Sequence, residues 1–331
     1  MTAIPDAVRF GFLGAGWIAG RALAPAVHAA NGAVLHAVAA RDTTRAEQLE
    51  PVGRCYDDYA ALLLDPDVDV VYINLTNDQH APWALAALAA GKHVLCEKPL
   101  GLGPEEVRGM TDAARSAGRL LVEAFWYRWH PRTRRLEQLL AAGALGPVHE
   151  VDAEFSFDGS DDARMTGNYR LDPARGGGAL YDVGCYAVSL AHLVLGPSLR
   201  VDRVETVVGP TGVDLDTAAR VTAPAGLTAG GRASLRCGIA GRDREAVEVA
   251  GEAARVRFTT GAAFTNRQAP SALSITTPDR AVRVEEFAPV DPYRLMIEAM
   301  AARVRGDEAF LVPPEHSIAV ATTLAALRAS S

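Results

Sequence analysis

Three residues in this sequence have the chemistry and the spacing expected of a proton-transfer site. Lys98 ends an apolar run and stands between Glu97 and Pro99, whereas Asp182 and Tyr186 are four positions apart in a second apolar segment. Residues four apart share one face of a helix, so the carboxylate and the phenol would point the same way. A phenol has a pKa of about 10 in water, and a neighbouring cation lowers it. We expect Lys98 to be that cation; the alternatives are a surface lysine and a packed aromatic beside a capping acid.

A glycine-rich turn near the start of the chain indicates a phosphate-bearing ligand. Gly14, Gly16 and Ala19 follow the spacing G-x-G-x-x-A, directly after a short apolar run and before a helical one. The first glycine allows a tight turn, the second lets the backbone approach a pyrophosphate, and the small third residue packs the helix. Trp17 and Ile18 complete the turn, where the helix N-terminus would bind the phosphates of a dinucleotide. A glycine turn without a ligand is the alternative.

The end of the second predicted strand bears on which dinucleotide is bound. Arg41 lies 22 positions after Ala19, where an acidic residue would hold a ribose hydroxyl and an arginine would accept a 2′-phosphate. Arg45, one helical turn further, can join Arg41. Asp42 leaves the other possibility open, because it could bind the ribose of NAD. The sequence therefore favours NADP over NAD. Thr43 or Thr44 is expected to cap the helix that follows.

Two further strand ends add candidate cofactor-binding residues. Thr76, Asn77 and His80 follow the third predicted strand, and Glu97 and Lys98 end the fourth. Ligands of open α/β sheets bind at the carboxyl ends of the strands, and both of these segments lie at such ends. For His80, a buried hydrogen-bonding role is an equal alternative. The other histidines show no metal-ligand spacing such as H-E-x-x-H, so we expect no metal site.

The pattern of apolar runs predicts an α/β protein with two domains. Strands and helices alternate in the first part, which predicts a Rossmann-type, doubly wound parallel sheet in an NAD(P)-binding domain at 1–123. Short β-like runs dominate the rest, which predicts an α+β domain at 124–331 with a large open, mostly antiparallel sheet. Its last helices can pack back on the first domain, and 157–175 is expected to form loops. The first domain's predicted strands are 8–13, 34–40, 69–75, 93–97 and 120–123, and its helices are 18–30, 43–49, 82–90 and 104–117.

Composition narrows the class of protein. The 331 residues are 49% hydrophobic and 22% charged with a net charge of −7, which argues against a nucleic-acid or acidic-membrane surface. The four cysteines are scattered, which favours free thiols in a reducing compartment. No uncharged run approaches the roughly 18 apolar residues of a membrane span, and no signal-peptide pattern is evident. We expect a cytoplasmic protein.

These motifs resemble the glucose–fructose oxidoreductase, inositol dehydrogenase and rhizopine-catabolism family, abbreviated Gfo/Idh/MocA. The resemblance covers nearly the whole chain and is most specific in 14–19, 90–100 and 176–186. It implies that Lys98 is the catalytic lysine, Asp182 orients the substrate and Tyr186 is the acid/base. Many members have histidine in place of Tyr186, and the tyrosine version is similar to dihydrodiol and xylose dehydrogenases. Thr76 departs from the proline that relatives often have there.

The resemblance implies an NAD(P)-dependent oxidoreductase that acts on a sugar or cyclic diol. It places the substrate between the domains, where the candidate lining residues are Trp126, Tyr127, Arg128, Tyr169 and Arg170; the first two could equally be core and Arg128 a structural ion pair. It also implies a homodimer or homotetramer built through the C-terminal sheet. Two alternatives remain: an NDP-ketosugar reductase of natural-product biosynthesis, and a non-catalytic regulator that senses the cofactor.

Overall fold

The computed structural model describes residues 7–159, 167–224 and 230–330, and the chain forms two compact units. Part of the predicted loop region 157–175 therefore lies outside the described residues. The first unit contains residues up to 101, 105–129 and 291–314; the second contains 102–104, 130–290 and the residues from 315 onward.

The first unit is built on a six-stranded parallel sheet in the order β3-β2-β1-β4-β5-β6. This order confirms the predicted doubly wound fold. The order reverses between β1 and β4, so the segments that follow these two strands meet at the edge where such folds bind ligands. The two-residue strand β3 escaped prediction because it has no apolar run. The strands are β1 Val8–Leu13, β2 Ala33–Ala39, β3 Cys55–Tyr56, β4 Val70–Ile73, β5 His93–Cys96 and β6 Leu121–Glu123.

The second unit contains an eight-stranded sheet in the order β14-β13-β12-β11-β7-β10-β9-β8. Only β7 and β10 pair in parallel, so the sheet is mostly antiparallel, as the sequence predicts. The strands are β7 Val148–Ser156, β8 Arg200–Val208, β9 Asp214–Thr222, β10 Arg232–Gly238, β11 Arg244–Gly251, β12 Arg255–Thr260, β13 Ser271–Thr276 and β14 Val282–Phe287.

Helices cover these sheets, and two of them begin in an unusual way. The segments Ala19–Leu23 and Leu180–Gly184 are π-helical turns that continue directly into α1 and α7. The helix predicted from Pro82 begins five residues earlier, at Asn77, with the proline inside it. The α-helices are α1 Ala24–Ala29, α2 Thr43–Glu47, α3 Tyr59–Leu63, α4 Asn77–Ala89, α5 Pro104–Ala117, α6 Pro131–Ala141, α7 Cys185–Leu195, α8 Pro292–Val304 and α9 Pro314–Ala329.

One helical stretch in the described residues, Pro173–Leu195, is long and apolar enough to span a membrane by length and composition alone. Its most apolar window is 94% buried inside the protein, as the core helix of a water-soluble fold would be. Within the second unit, α7 packs against the central strands β7 and β10. The apolar character of this helix is therefore explained by the core.

Candidate active site

The glycine turn after β1 is held in place by a residue that the sequence analysis did not select. Gly14 has a φ of +101°, and a Cβ there would lie 2.9 Å from the backbone oxygen of Asn74. The Asn74 side chain donates from Nδ2 to the Gly14 carbonyl at 3.1 Å. Asn74 follows β4, so the adjacency of β1 and β4 brings together residues 60 positions apart. In the sequence, the one indication of this role for Asn74 is that a polar residue follows a buried strand.

The turn leaves room for a pyrophosphate. Among the residues that the structure describes, a Cβ added to Gly16 would have one neighbour within 4 Å, Asn74 Oδ1 at 4.0 Å, so these residues leave the space above this backbone open. The Gly20 N–H donates to the Gly16 carbonyl at 3.3 Å in the first turn of the following helix, and a helix N-terminus of this kind favours a bound anion. Ala19 is fully buried, as helix packing requires. Trp17 is 60% exposed, with the Arg21 guanidinium 5.3 Å from its ring.

The loop after β2 carries both candidate ribose ligands, Arg41 and Asp42. The predicted threonine cap is wrong: Asp42 is the N-cap of α2, and its Oδ1 accepts from Thr44 N at 3.1 Å. An aspartate already satisfies the free N–H groups of this helix, so neither threonine has to. Arg41 and Arg45 are both exposed. One carboxylate oxygen of Asp42 serves as the cap, and the side chain of Asp42 is exposed like those of the two arginines.

The loop that carries Lys98 is fixed by buried carboxylates on both sides. Tyr72 donates its hydroxyl to Glu97 Oε1 at 2.9 Å, and Glu123 Oε1 accepts from the Leu100 backbone N–H at 2.9 Å. The Lys98–Pro99 peptide bond is cis. Burial, followed by the charge of Glu97, raises the pKa of Tyr72 well above its usual value. Tyr72 therefore stays a neutral donor to the glutamate beside Lys98.

His80 supports the same loop from α4. Its Nδ1 lies 2.8 Å from the Pro99 carbonyl, and its Nε2 lies 3.2 Å from the Leu75 carbonyl. The ring is completely buried, and that burial, more than the nearby Lys98 charge, lowers the pKa of His80. The structure thus fits the hydrogen-bonding alternative, in which His80 affects the dinucleotide site only through the loop.

The other candidates on this segment differ in exposure. Asn77 is buried at the first turn of α4, whereas Thr76 is half-buried. The Thr76 hydroxyl donates to Asp78 Oδ1 at 2.6 Å. Thr76 stands at the N-cap position of α4, and its side chain makes no capping bond.

In the second unit, a glycine pair lets a turn approach the helix that carries Asp182. A Cβ on Gly177 would lie 2.5 Å from the Arg170 carbonyl, and one on Gly178 would lie 2.0 Å from Asp214 Oδ1. Asp214 Oδ2 accepts from the backbone N–H of Leu180 at 2.7 Å, at the start of the π-helical turn. Burial raises the pKa of Asp214 in spite of this bond. Only glycine allows these approaches.

Two predicted substrate residues of the second unit form an ion pair. Arg170 Nε donates to Asp182 Oδ2 at 2.6 Å, and the Arg170 guanidinium also lies 5.0 Å from the Tyr169 ring. The Asp182 side chain is 6% exposed, whereas that of Arg170 is 31% exposed. Asp182 is therefore oriented by the arginine, and the arginine presents part of its surface outward.

Tyr186 lies one helical turn from Asp182 and belongs to a cluster of three aromatic rings. Its ring centroid is 5.3 Å from that of Phe155 and 5.7 Å from that of Phe264, and these two phenylalanines stack at 5.8 Å. Tyr186 is 4% exposed. Aromatic contacts at such distances restrict ring orientation, which a proton-transferring phenol requires.

Trp126 and Arg128, two of the candidate substrate residues, contact aromatic side chains. Trp126 stacks on Tyr293 with 4.6 Å between ring centroids, and the Arg128 guanidinium lies 5.5 Å from the Phe310 ring. All these contacts are inside the first unit, and both side chains are about 4% exposed. Tyr127, at 1% exposure, is core as well. The aromatic composition of this segment serves packing around the 3₁₀ turn Trp126–Trp129.

One group of metal-capable side chains is present among the described residues. Ligand atoms of His36, Asp65 and Asp67 lie within 4.8 Å of one another. Asp65 already accepts from the Tyr56 hydroxyl at 2.9 Å and from the Asp67 backbone N–H at 2.8 Å, and Asp67 pairs with Arg9. These bonds account for the cluster without an ion.

Comparison with known proteins agrees with both halves of this description. The model of the Gfo/Idh/MocA oxidoreductase family with an NAD-binding Rossmann fold matches residues 8–125, and that of a Gfo/Idh/MocA C-terminal domain matches 133–257. D-xylose 1-dehydrogenase (NADP(+)) 2 of Haloferax volcanii is 37% identical over 97% of each chain. Trans-1,2-dihydrobenzene-1,2-diol dehydrogenase of Mus musculus is 39% identical over 58% of this chain and 57% of its own length.

A solved structure matches over nearly the full length. The 3-ketoreductase KijD10 from Actinomadura kijaniata, in complex with NADP and TDP-benzene, superposes with a TM-score of 0.87 at 29% identity and covers 98% of both chains. The open glycine turn, the doubly wound sheet and these matches agree. The chain belongs to the Gfo/Idh/MocA family and is an NAD(P)-binding oxidoreductase.

Proposed function

We propose that this enzyme transfers a hydride between NADP(H) and a secondary alcohol or ketone of a sugar or cyclic diol. The observation that carries the proposal is the buried pair of Asp182 and Tyr186 on one helix, with the carboxylate held by Arg170. The relatives that act on D-xylose and on a dihydrodiol support this substrate class. The first unit would hold the dinucleotide and the second the substrate.

In the proposed chemistry the proton and the hydride of the substrate are transferred to different groups. Tyr186 accepts the proton of the substrate hydroxyl in oxidation and returns it to the carbonyl oxygen in reduction. Lys98 stabilises the negative charge that develops on that oxygen. Asp182 orients the substrate, and Tyr169 and Arg170 line its pocket. When bound, the nicotinamide supplies the hydride acceptor or donor.

NADP is the proposed physiological cofactor. Arg41 and Arg45 are exposed cations at the position where a 2′-phosphate lies in this fold, and one oxygen of the Asp42 carboxylate caps α2. The turn at Gly14 and Gly16 would hold the pyrophosphate. Trp17, Ile18, Thr76, Asn77, Glu97 and Lys98 would complete the dinucleotide site, with His80 acting through the loop.

An NDP-linked ketosugar is the second candidate substrate. The full-length match to a 3-ketoreductase solved with NADP and TDP-benzene favours it. Structures of that ketoreductase also exist with a lysine or a tyrosine replaced, the two residue types proposed here for catalysis. Reduction of a TDP-linked 3-ketosugar much faster than oxidation of any free sugar would favour this candidate.

The test combines cofactor binding with a substrate panel. NADPH and NADH are titrated by cofactor fluorescence, and D-xylose, other pyranoses, cyclic trans-diols and a TDP-linked ketosugar are then assayed with the tighter cofactor. We expect tighter binding of NADPH and turnover that falls at least about a hundredfold in Lys98→Met and Tyr186→Phe. Tyr181→Phe is the matched control, because this neighbouring tyrosine donates its hydroxyl to the Leu102 carbonyl. Equal loss in the control, or full activity in Tyr186→Phe, would contradict the assignment.

The oligomeric state and the cellular location are also proposals. On the sheet of the second unit, a broad concavity of about 1020 Å³ is lined by charged side chains that include Asp152, Glu154 and Arg236. We expect this face to build a homodimer or homotetramer, which light scattering after size-exclusion chromatography measures. All four cysteines are free, which fits a cytoplasmic location.

A further inference from the structure

Arg132 is a buried cation that the proposed chemistry does not use. It lies in the first turn of α6 and is 1% exposed. Its guanidinium lies 4.2 Å from the centre of the Phe258 ring, at the end of the neighbouring strand β12. Moving a charge out of water is unfavourable unless several groups compensate for the lost hydration, so a cation in this place calls for an explanation.

The hydrogen bonds of Arg132 converge on one loop. Nη1 donates to the carbonyl of Thr260 at 2.6 Å, and Nη2 donates to those of Ala262 and Ala263 at 2.5 and 3.2 Å. The planar guanidinium therefore donates hydrogen bonds to several backbone carbonyls of the segment 260–263. The compact ammonium group of a lysine lacks the planar fork of donors that these bonds require.

The same loop is held from its other side by an acid. Glu245 Oε2 accepts from the backbone N–H groups of Phe264 and Thr265, at 2.6 and 3.0 Å. Arg132 thus binds the carbonyls of the loop, and Glu245 binds the N–H groups that follow them. A loop fixed on both sides has its next side chain fixed as well, and that side chain is the Phe264 ring.

Phe264 connects this arrangement to the proposed acid/base. Its ring lies 5.7 Å from Tyr186 and stacks on Phe155, which contacts Tyr186 from β7. We propose that Arg132 is a positioning residue for Tyr186: it fixes the loop 260–263, and the loop places Phe264 against the phenol ring. This inference rests on the proposed role of Tyr186 and adds a residue to it that does not touch the substrate.

The first test separates catalysis from cofactor binding. In Arg132→Met and in Phe264→Leu we expect kcat to fall about tenfold to a hundredfold, because small displacements of a reacting group have effects of that size. The dissociation constant of NADPH, measured by fluorescence, should stay within about twofold, since the residues of the glycine turn are unchanged. Arg132→Lys keeps the charge but not the planar fork, so its kcat should lie between those of the wild type and Arg132→Met.

The second test reads the position of the ring without any turnover. In protein labelled with fluorotyrosine, the Tyr186 signal is the ¹⁹F resonance that Tyr186→Phe removes. We expect Arg132→Lys and Phe264→Leu to shift this resonance, whereas Phe287→Leu on strand β14 leaves it in place. The Lys variant and Phe264→Leu keep the test available if Arg132→Met does not fold.

The outcomes distinguish the two proposals. An unchanged Tyr186 resonance and an unchanged kcat in Phe264→Leu and Arg132→Lys would overturn the positioning role. Full activity of Tyr186→Phe would instead overturn the assignment of Tyr186 as acid/base. Arg132 would then have no positioning role in catalysis, even if Arg132→Lys shifts the ¹⁹F resonance of Tyr186. A proportional loss of kcat and of NADPH-binding sites, with no shift of the resonance, would indicate partial unfolding and also overturn the inference.

Discussion

Replacement of Gly178 by alanine should destabilise the second unit much more than the same change at Gly196. Both glycines have a positive φ, +113° and +97°, so both variants meet backbone strain. They differ in what the new methyl group would meet. At Gly196 no heavy atom of the described residues lies within 4 Å of the methyl position, whereas at Gly178 the methyl would lie 2.0 Å from Asp214 Oδ1. Asp214 must therefore move, and its 2.7 Å bond from Leu180 N is lost.

The magnitude follows from these two contributions. A non-glycine residue in such a backbone conformation costs about 1–3 kcal/mol, and this applies to both variants. A hydrogen bond to a charged group contributes about 1.5–3 kcal/mol, and only Gly178→Ala loses it. We therefore expect Gly196→Ala to lower the free energy of unfolding by about 1–3 kcal/mol and Gly178→Ala by about 2.5–6 kcal/mol. The larger loss is a substantial share of the 5–15 kcal/mol typical of folded proteins.

Urea denaturation of the two variants, followed by circular dichroism, measures the difference. A double-mutant cycle with Asp214→Ala isolates the clash, because removing the carboxylate removes the atom that the methyl meets. In that background Gly178→Ala should cost only the backbone contribution. Equal losses at Gly178 and Gly196, or a Gly178→Ala effect that does not shrink when Asp214 is absent, would refute the reasoning.

Three further outcomes are expected. Arg41→Ala and Arg45→Ala should each weaken NADPH binding about tenfold to a hundredfold and leave NADH binding unchanged, as fluorescence titration would show; equal weakening of both cofactors would contradict a 2′-phosphate site. Burial, followed by the charge of Arg132, lowers the pKa of His130 from 6.5 to about 4. Between pH 6.5 and about pH 4 the imidazole is therefore protonated in the unfolded state but neutral in the folded state, so the free energy of unfolding decreases as the pH falls through this range. Urea titrations should show that the free energy of unfolding is about 3 kcal/mol lower at pH 4 than at pH 7. His130→Asn keeps a capping side chain but cannot take up the proton, so this difference should disappear in the variant. The same pH dependence in the variant would rule out His130 as its source. Cys55, half-buried, should react with a thiol reagent before unfolding, whereas the other three thiols, which are buried, should react only on unfolding; early labelling of a second thiol, measured by mass spectrometry, would contradict this.

The sequence was informative wherever a local pattern decides the structure. The turn at Gly14 and Gly16 lies where the spacing predicts, because an apolar strand before it and a helix after it leave one connection. The open, mostly antiparallel sheet followed from the density of short β-like runs. The four-residue spacing of Asp182 and Tyr186 in an apolar segment predicted that they share a helix. Each of these features follows from the type and spacing of residues that are near one another in the sequence.

What the sequence did not show depends on contacts between distant segments. Asn74 supports the glycine turn from 60 positions away, which no local pattern reports. The segment with Trp126 has the composition of a ligand pocket, but its stacking partner Tyr293 arrives from α8. The cap of α2 is an exception, because the Asp-Thr-Thr order is a local signal for the bond from Thr44 N to Asp42.

The π-helical turn at Leu180–Gly184 also bears on how this site tolerates changes in chain length. A π-turn is a helix with one residue more than an α-helical turn contains, and such turns recur at functional sites. Deleting one residue from it would restore regular α-helical bonding. Each residue advances a helix by about 100°, so deletion of Val183 or Gly184 would turn Asp182 by roughly that angle relative to α7 and break its ion pair with Arg170. Homologues should therefore conserve the number of residues in this turn more strictly than their identity.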